Sequence, residues 1–204
     1  TSLARLLFRF YDPQAGSIRI NDVDLRDFQL EMVRANVGFV TQDVQLFHAS
    51  VRDNLTLFDS SIPDHAIRRV LQEVGLSDWL GELEEGLETS LAGGNALSAG
   101  EAQLLAFARV LLKDPRIVIL DEATSRLDPV TEALIERAVA KLLEGRTAIV
   151  IAHRLHTLTR VNKILLLEQG RVIEYDHYAA LAQNSDSRFA ELLRQGALGE
   201  EVGA

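Results

Sequence analysis

The sequence contains no cysteine among its 204 residues. That excludes a disulfide framework and any thiolate metal site. Positive charge is also short: 21 lysines and arginines stand against 30 aspartates and glutamates, a formal net charge of −9. A nucleic-acid or anionic-membrane surface calls for a basic patch, so this balance argues against both. Long apolar runs are missing as well. Runs such as residues 117–120, 148–152 and 164–167 are only four or five residues long, far below the roughly 20 residues that span a bilayer. What remains is 47% hydrophobic and 25% charged. That is ordinary globular composition, with material for one sizeable core or two modest ones.

The most informative stretch is residues 116–128, RIVILDEATSRLD. Ile117, Val118, Ile119 and Leu120 show no polar alternation, the pattern of a strand buried on both faces of a parallel sheet. Asp121 and Glu122 follow at once. In open α/β sheets, ligands sit beyond the carboxyl ends of the strands. Asp121 there suits a hydrated Mg²⁺ carrying nucleotide phosphates, with Glu122 placed to handle a water. Alone, the pair reads equally well as a strand-to-loop junction whose acids point to solvent.

Around this stretch the pattern alternates. Leu3, Leu6, Leu7 and Phe10 fall on one helical face, stopped by Asp12-Pro13. Residues 17–20 read as a strand with an Asn21-Asp22 turn, and residues 37–41 as a strand delivering Gln42. From 44 to 114 the texture is helical. Pro63 opens a helix, Gly75 closes it, and Ala66, Ile67, Val70, Leu71 and Val74 form its apolar stripe. A long apolar helix is predicted over 102–112. Asp128-Pro129 starts another that runs to Leu143, with Gly145 as its stop. Residues 147–152 read as a further buried strand ending in His153. Residues 163–175 form a hairpin turning at Gln169-Gly170. Helices over 177–184 and 187–195 close the pattern, with a frayed tail from Gly196.

Three apolar strands thus each end in a side chain suited to phosphate chemistry: Gln42, the Asp121–Glu122 pair, and His153. Phosphoryl transfer asks for positioning, charge neutralisation and an oriented water. Each residue alone has a plainer reading, Gln42 as a solvated amide and His153 as a satisfied helix-start histidine. Their coincidence at corresponding strand ends carries more weight. A Gly-rich loop ending in Gly-Lys-[Ser/Thr], which would cradle phosphates, does not occur in the sequence. In that motif the lysine precedes a hydroxyl residue and an amphipathic helix, and Thr1-Ser2-Leu3 opens this chain in the same manner.

These motifs resemble the nucleotide-binding domain of ATP-binding cassette (ABC) transporters, over essentially residues 1–195. Leu97-Ser98-Ala99-Gly100-Glu101 is similar to the family signature, usually LSGGQ. Gln42 resembles the Q-loop glutamine and Asp121 the Walker B aspartate. Glu122 resembles the catalytic glutamate, residues 125–128 the D-loop, and His153 the switch histidine. Residues 44–55 resemble the stretch after the Q-loop in exporter-type members. The resemblance implies an α/β, P-loop NTPase (RecA-like) fold with a mainly parallel sheet. Its ATP-binding core spans 1–43 and 115–204, with an inserted helical subdomain at 44–114. The chain is expected to begin just past the Walker A lysine, without that loop or the strands before it.

The implied function is ATP hydrolysis that powers transmembrane export. Glu122, His153 and Gln42 are catalytic. Thr1, Ser2, Gln42, Ser98, Gly100, Glu101, Asp121, Asp128 and His153 contact ATP, and Thr1, Gln42 and Asp121 meet Mg²⁺. The implied partners are a second, head-to-tail nucleotide-binding domain and transmembrane domains at the cytoplasmic face of the cell membrane, with no nucleic acid. Other readings of the sequence are a non-transport ATPase of the same family and a degenerate half-site that binds nucleotide structurally. Three residues depart from the usual pattern: Ala99 for glycine, Glu101 for glutamine and Arg126 for alanine. Ser98 and Glu101 also have capping-box spacing, so the motif doubles as a helix start.

Overall fold

A computed structural model of the chain describes residues 2–41, 43–91, 97–121, 128–152 and 161–201, those from 196 on by backbone alone. The chain forms two compact units, Thr1–Ile151 and Ala152–Ala204.

The first unit opens with helix α1 (Ser2–Leu7). The predicted face of Leu3, Leu6, Leu7 and Phe10 packs only in part. Ala4 is buried, Leu7 and Phe8 pack beside it, and Leu3 and Phe10 are exposed. The cause is an early stop. Arg9 takes a left-handed φ of 55°, and its guanidinium donates to the carbonyls of Leu25 (3.1 Å) and Phe28 (2.8 Å). Phe10 therefore leaves the helix before the seventh position is reached. Strands β1 (Arg19–Ile20) and β2 (Val23–Asp24) pair antiparallel across Asn21-Asp22. Both turn residues have positive φ, as a tight hairpin turn requires.

Helix α2 (Leu30–Asn36) leads into β3 (Val37–Val40). Four helices follow: α3 (Val51–Thr56), α4 (Asp64–Glu73), α5 (Ser77–Glu82) and α6 (Ala99–Lys113). The predicted α4 stripe is buried at Ile67, Val70, Leu71 and Val74, and Gly75 ends the helix with φ +81°. Helix α6 is longer at both ends than the apolar pattern predicts. After it come β4 (Ile117–Asp121), α7 (Pro129–Leu143) and β5 (Thr147–Ile151).

The sheet order is β3-β4-β5, all parallel. The unbroken apolar run of β4 now has its reason. Val118 and Leu120 join Val40 in a cluster with α3, α4, α6 and α7, whereas Ile119 joins Val37 in a second cluster with Ala4, Leu25 and Val33. Alternate side chains face opposite layers, and both layers are apolar. Residues 147–152, expected to be buried, differ. Thr147 and Ala148 of β5 are exposed and the rest half-buried, because among the described residues β5 pairs on one edge only.

The second unit pairs β6 (Lys163–Glu168) with β7 (Arg171–His177) across Gln169-Gly170, followed by α8 (Tyr178–Gln183) and α9 (Arg188–Glu201). Ile164, Leu181 and Phe189 form its core. The Glu174 carboxylate accepts from Ser187 Oγ (2.9 Å) and from the Arg188 (2.7 Å) and Phe189 (3.0 Å) amides, fixing the start of α9. That helix continues past Gly196, where the sequence predicts fraying.

Candidate functional site

The register sets the geometry. Val40 pairs with Leu120, Leu120 with Val150, and Asp121 with Ile151. The three strands therefore end level at one edge of the sheet. Asp121, the last residue of β4, is only 7% exposed. Strand alternation puts it on the face of Ile117 and Ile119, the layer to which α1 contributes. Just past the end of β3, Thr41 donates its hydroxyl to the Asp43 carbonyl at 3.0 Å. Thr1, Gln42, Glu122 and His153 lie outside the described residues. Ser2 is exposed at the first turn of α1.

The signature segment sits at the start of α6. Ser98 is its N-cap in extended conformation. The Ser98 amide and hydroxyl each donate to Glu101 Oε2 at 2.8 Å, and the Glu101 amide donates back to Ser98 Oγ at 3.2 Å. This is the reciprocal box expected from the spacing. It turns the Glu101 carboxylate onto the positive end of the helix, where a negative charge is favoured. Ser98 and Ala99 remain exposed and Gly100 is buried. Asp128 caps α7 in the same way, accepting from the Val130 (3.1 Å) and Thr131 (3.0 Å) amides. Hydrogen bonding to Thr131, from side chain and backbone, holds its carboxyl below the usual aspartate range. Helices α6 and α7 pack against each other, so both capped starts belong to one helical layer.

Two residues escaped the sequence reading. Asn54 is fully buried in α3. Its Oδ1 accepts from the Phe47 amide (2.8 Å), and its Nδ2 donates to the carbonyls of Phe47 (2.9 Å), Ser50 (3.0 Å) and Ala49 (3.3 Å). Arg109 reaches from α6 to the Asn54 carbonyl (2.6 Å), the Gln45 carbonyl (2.7 Å) and Asn54 Oδ1 (3.0 Å). Burial pushes its pKa down, although a guanidinium stays charged. The signal was available: an arginine inside the apolar run of α6, and an asparagine on the buried side of a short helix.

A parallel sheet between helical layers, with an acidic residue buried at its carboxyl edge and a capped glycine-containing helix start, defines a nucleoside-triphosphatase domain of the P-loop type. Residues 1–125 match the model of the family described as ABC transporter. The chain belongs to that family. It is 42% identical over 184 residues to the heterocyst differentiation ATP-binding protein HepA of Nostoc sp., covering 90% of this chain and 30% of that protein. It is 43% identical over 189 residues to the beta-(1→2)glucan export ATP-binding/permease protein NdvA of Rhodopseudomonas palustris, covering 87% and 31%. Among solved structures it superposes on a bacterial Atm1-family ABC exporter with ATP bound, with a TM-score of 0.86 and 36% identity. That match covers 96% of this chain and 34% of the exporter chain. The chain thus spans about a third of the length of these relatives.

Proposed function

We propose that this chain is the ATP-hydrolysing motor of a membrane exporter, acting at the cytoplasmic face of the membrane as one of two head-to-tail ATP-binding domains. The observation that carries this reading is the level register of β3, β4 and β5. Gln42, Glu122 and His153 follow the last residues of those strands by two, one and two positions, respectively. Covalent spacing of about 3.8 Å per residue keeps them near one edge.

In this reading Asp121, with Thr1 and Gln42, holds Mg²⁺. A carboxylate this little exposed at the sheet edge suits a hard cation with oxygen ligands, and the ion neutralises phosphate charge when bound. Glu122 accepts the proton of the attacking water, Gln42 orients that water, and His153 donates to the terminal phosphate. Ser2 contacts the phosphates of the same nucleotide. Ser98, Gly100 and Glu101 serve the nucleotide held by the partner domain, at the positive end of α6. Asp128 lies at the interface between the two domains. Residues 44–114 act as a helical subdomain, and residues 43–58 meet the transmembrane domains. Phe47, Leu57 and Phe58 of that segment are about half exposed, an apolar patch that marks an interaction surface.

The test is Glu122→Gln in the complete transporter. Removing a general base costs about 10²–10⁴-fold in turnover, whereas ATP binding and domain closure persist. ATP hydrolysis falling at least 100-fold, with a stable ATP-loaded dimer by size-exclusion chromatography, is the expected result. Hydrolysis at the wild-type rate removes Glu122 from the role and the reading with it.

A further inference from the structure

The segment after residue 42 leaves the sheet edge and must turn into α3. At its far end it bridges Ser90 from Ser50, with the Leu91 amide donating to the Ala49 carbonyl at 2.9 Å, and over 45–50 two side chains bind its backbone. Asn54 binds Phe47 at both amide and carbonyl and also the carbonyls of Ala49 and Ser50. Arg109 binds the Gln45 carbonyl and Asn54 twice. Oδ1 of Asn54 has both lone pairs engaged, one by Phe47 and one by Arg109. A polar network satisfied this fully is rigid and fails as a unit. Only a planar fork of five donors matches three oxygens spread over two segments, so lysine is no substitute.

The two ends of this network differ in kind. One end is the surface. Phe47 meets Phe58 edge-on, ring centroids 5.5 Å apart. Leu57 and Phe58 are both held at positive φ, 54° and 67°, and both are 58% exposed. Bulky residues in left-handed conformations are strained, and here the strain presents two apolar side chains to solvent. The other end is α6. Arg109 stands ten positions past Ala99, about 15 Å along a helix rising 1.5 Å per residue, and that helix begins at the Ser98 cap.

We infer that Arg109 is a positioning residue that joins the Phe47–Leu57–Phe58 surface to the signature helix, so that displacement of either is passed to the other. The inference rests on the motor-domain reading above. Arg109 acts through the segment 45–50, whose Gln45 carbonyl it holds at 2.7 Å.

The experiment uses the complete transporter in lipid nanodiscs, with Mg·ATP and vanadate as probe and hydrogen exchange of residues 45–50 as readout. In the wild type, trapping nucleotide changes exchange in this segment at least fivefold. In Arg109→Lys, KM for ATP and kcat stay within about twofold of wild type, but the exchange change on trapping falls below twofold. A purely structural arginine would lower the thermal midpoint without uncoupling the segment. An Arg109→Lys protein that keeps the fivefold response overturns the inference. Should that variant not fold, the wild type decides: unchanged exchange in a nucleotide-trapped protein overturns it equally. Failure to trap nucleotide at all overturns the motor reading itself.

Discussion

Gly38→Ala offers the sharpest test of how the sheet is held. Gly38 lies in β3, and its φ is not positive, so alanine meets no backbone penalty there. Space is the issue. A Cβ at this position would stand 2.4 Å from Val110 Cγ1 and 2.8 Å from Pro115 Cγ. Neither neighbour is the end of a flexible chain. Val110 is a β-branched residue buried in α6, stiff at χ1, and Pro115 is a buried ring. Overpacking of this kind costs about 1–3 kcal/mol. The stiffer unfolded chain offsets about 0.4–1 kcal/mol of it. The net expectation is a loss of about 1–2 kcal/mol, read from the midpoint of urea unfolding at unchanged slope.

Gly81→Ala is the control. Gly81 lies in α5 with nothing within 4 Å of its would-be Cβ, and alanine there stabilises by up to about 1 kcal/mol through helix propensity. Adding Val110→Ala to Gly38→Ala removes the closest clash. The pair should show a favourable coupling of about 1 kcal/mol in a double-mutant cycle. If Gly38→Ala is as stable as wild type while Gly81→Ala behaves as stated, the contact between β3 and α6 is looser than described and the reasoning fails.

Two further outcomes concern a helix cap and a carboxylate clamp. Ser98→Ala removes the N-cap of α6 and leaves Glu101 without its hydroxyl partner, an expected loss of about 1 kcal/mol by the same urea assay; no change would show the cap to be idle. Burial raises the Glu174 pKa, but hydrogen bonds from Phe189, Arg188 and Ser187 outweigh it and leave the group below its usual 4.5. A carboxyl with a depressed folded-state pKa stabilises fully above its unfolded value and loses that contribution as pH falls through the folded one. The thermal midpoint of wild type should therefore fall more steeply below about pH 4.5 than that of Glu174→Gln, and parallel curves would refute the clamp.

Local signals carried most of the architecture. The α4 stripe, the stops at Gly75 and Gly145, the two tight hairpins and both N-caps are consequences of neighbours within a few residues, and each was readable in the sequence. The three strands were legible as apolar runs, because a strand between two apolar layers leaves no other pattern. What could not be read depended on partners far away. The face of α1 was decided by Arg9 reaching carbonyls of Leu25 and Phe28, sixteen and nineteen positions on. The exposure of β5 depended on its neighbours in the sheet rather than on its composition. Of the candidate site, the Ser98–Glu101 box was legible from spacing alone, whereas the Asn54–Arg109 network joins residues 55 positions apart and leaves only an arginine in an apolar helix as its trace.

The level strand ends are not a local property either. Strands β3 and β4 are neighbours in the sheet but are separated in sequence by all of α3 to α6. Something must return the chain in register, and the contacts that do so converge on the last turns of α6. Val110 closes over Gly38. Lys113 donates from its ammonium to the Val37 carbonyl at 3.1 Å and lies 5.7 Å from the Phe8 ring centroid, with burial and then Arg34 lowering its pKa. One helix thus seats β3 at its end, grips the 45–50 segment at Arg109 and presents Ser98 at its start. A rigid element cannot shift at one of these points without bearing on the others. The start of β3 and the signature segment are therefore joined through α6.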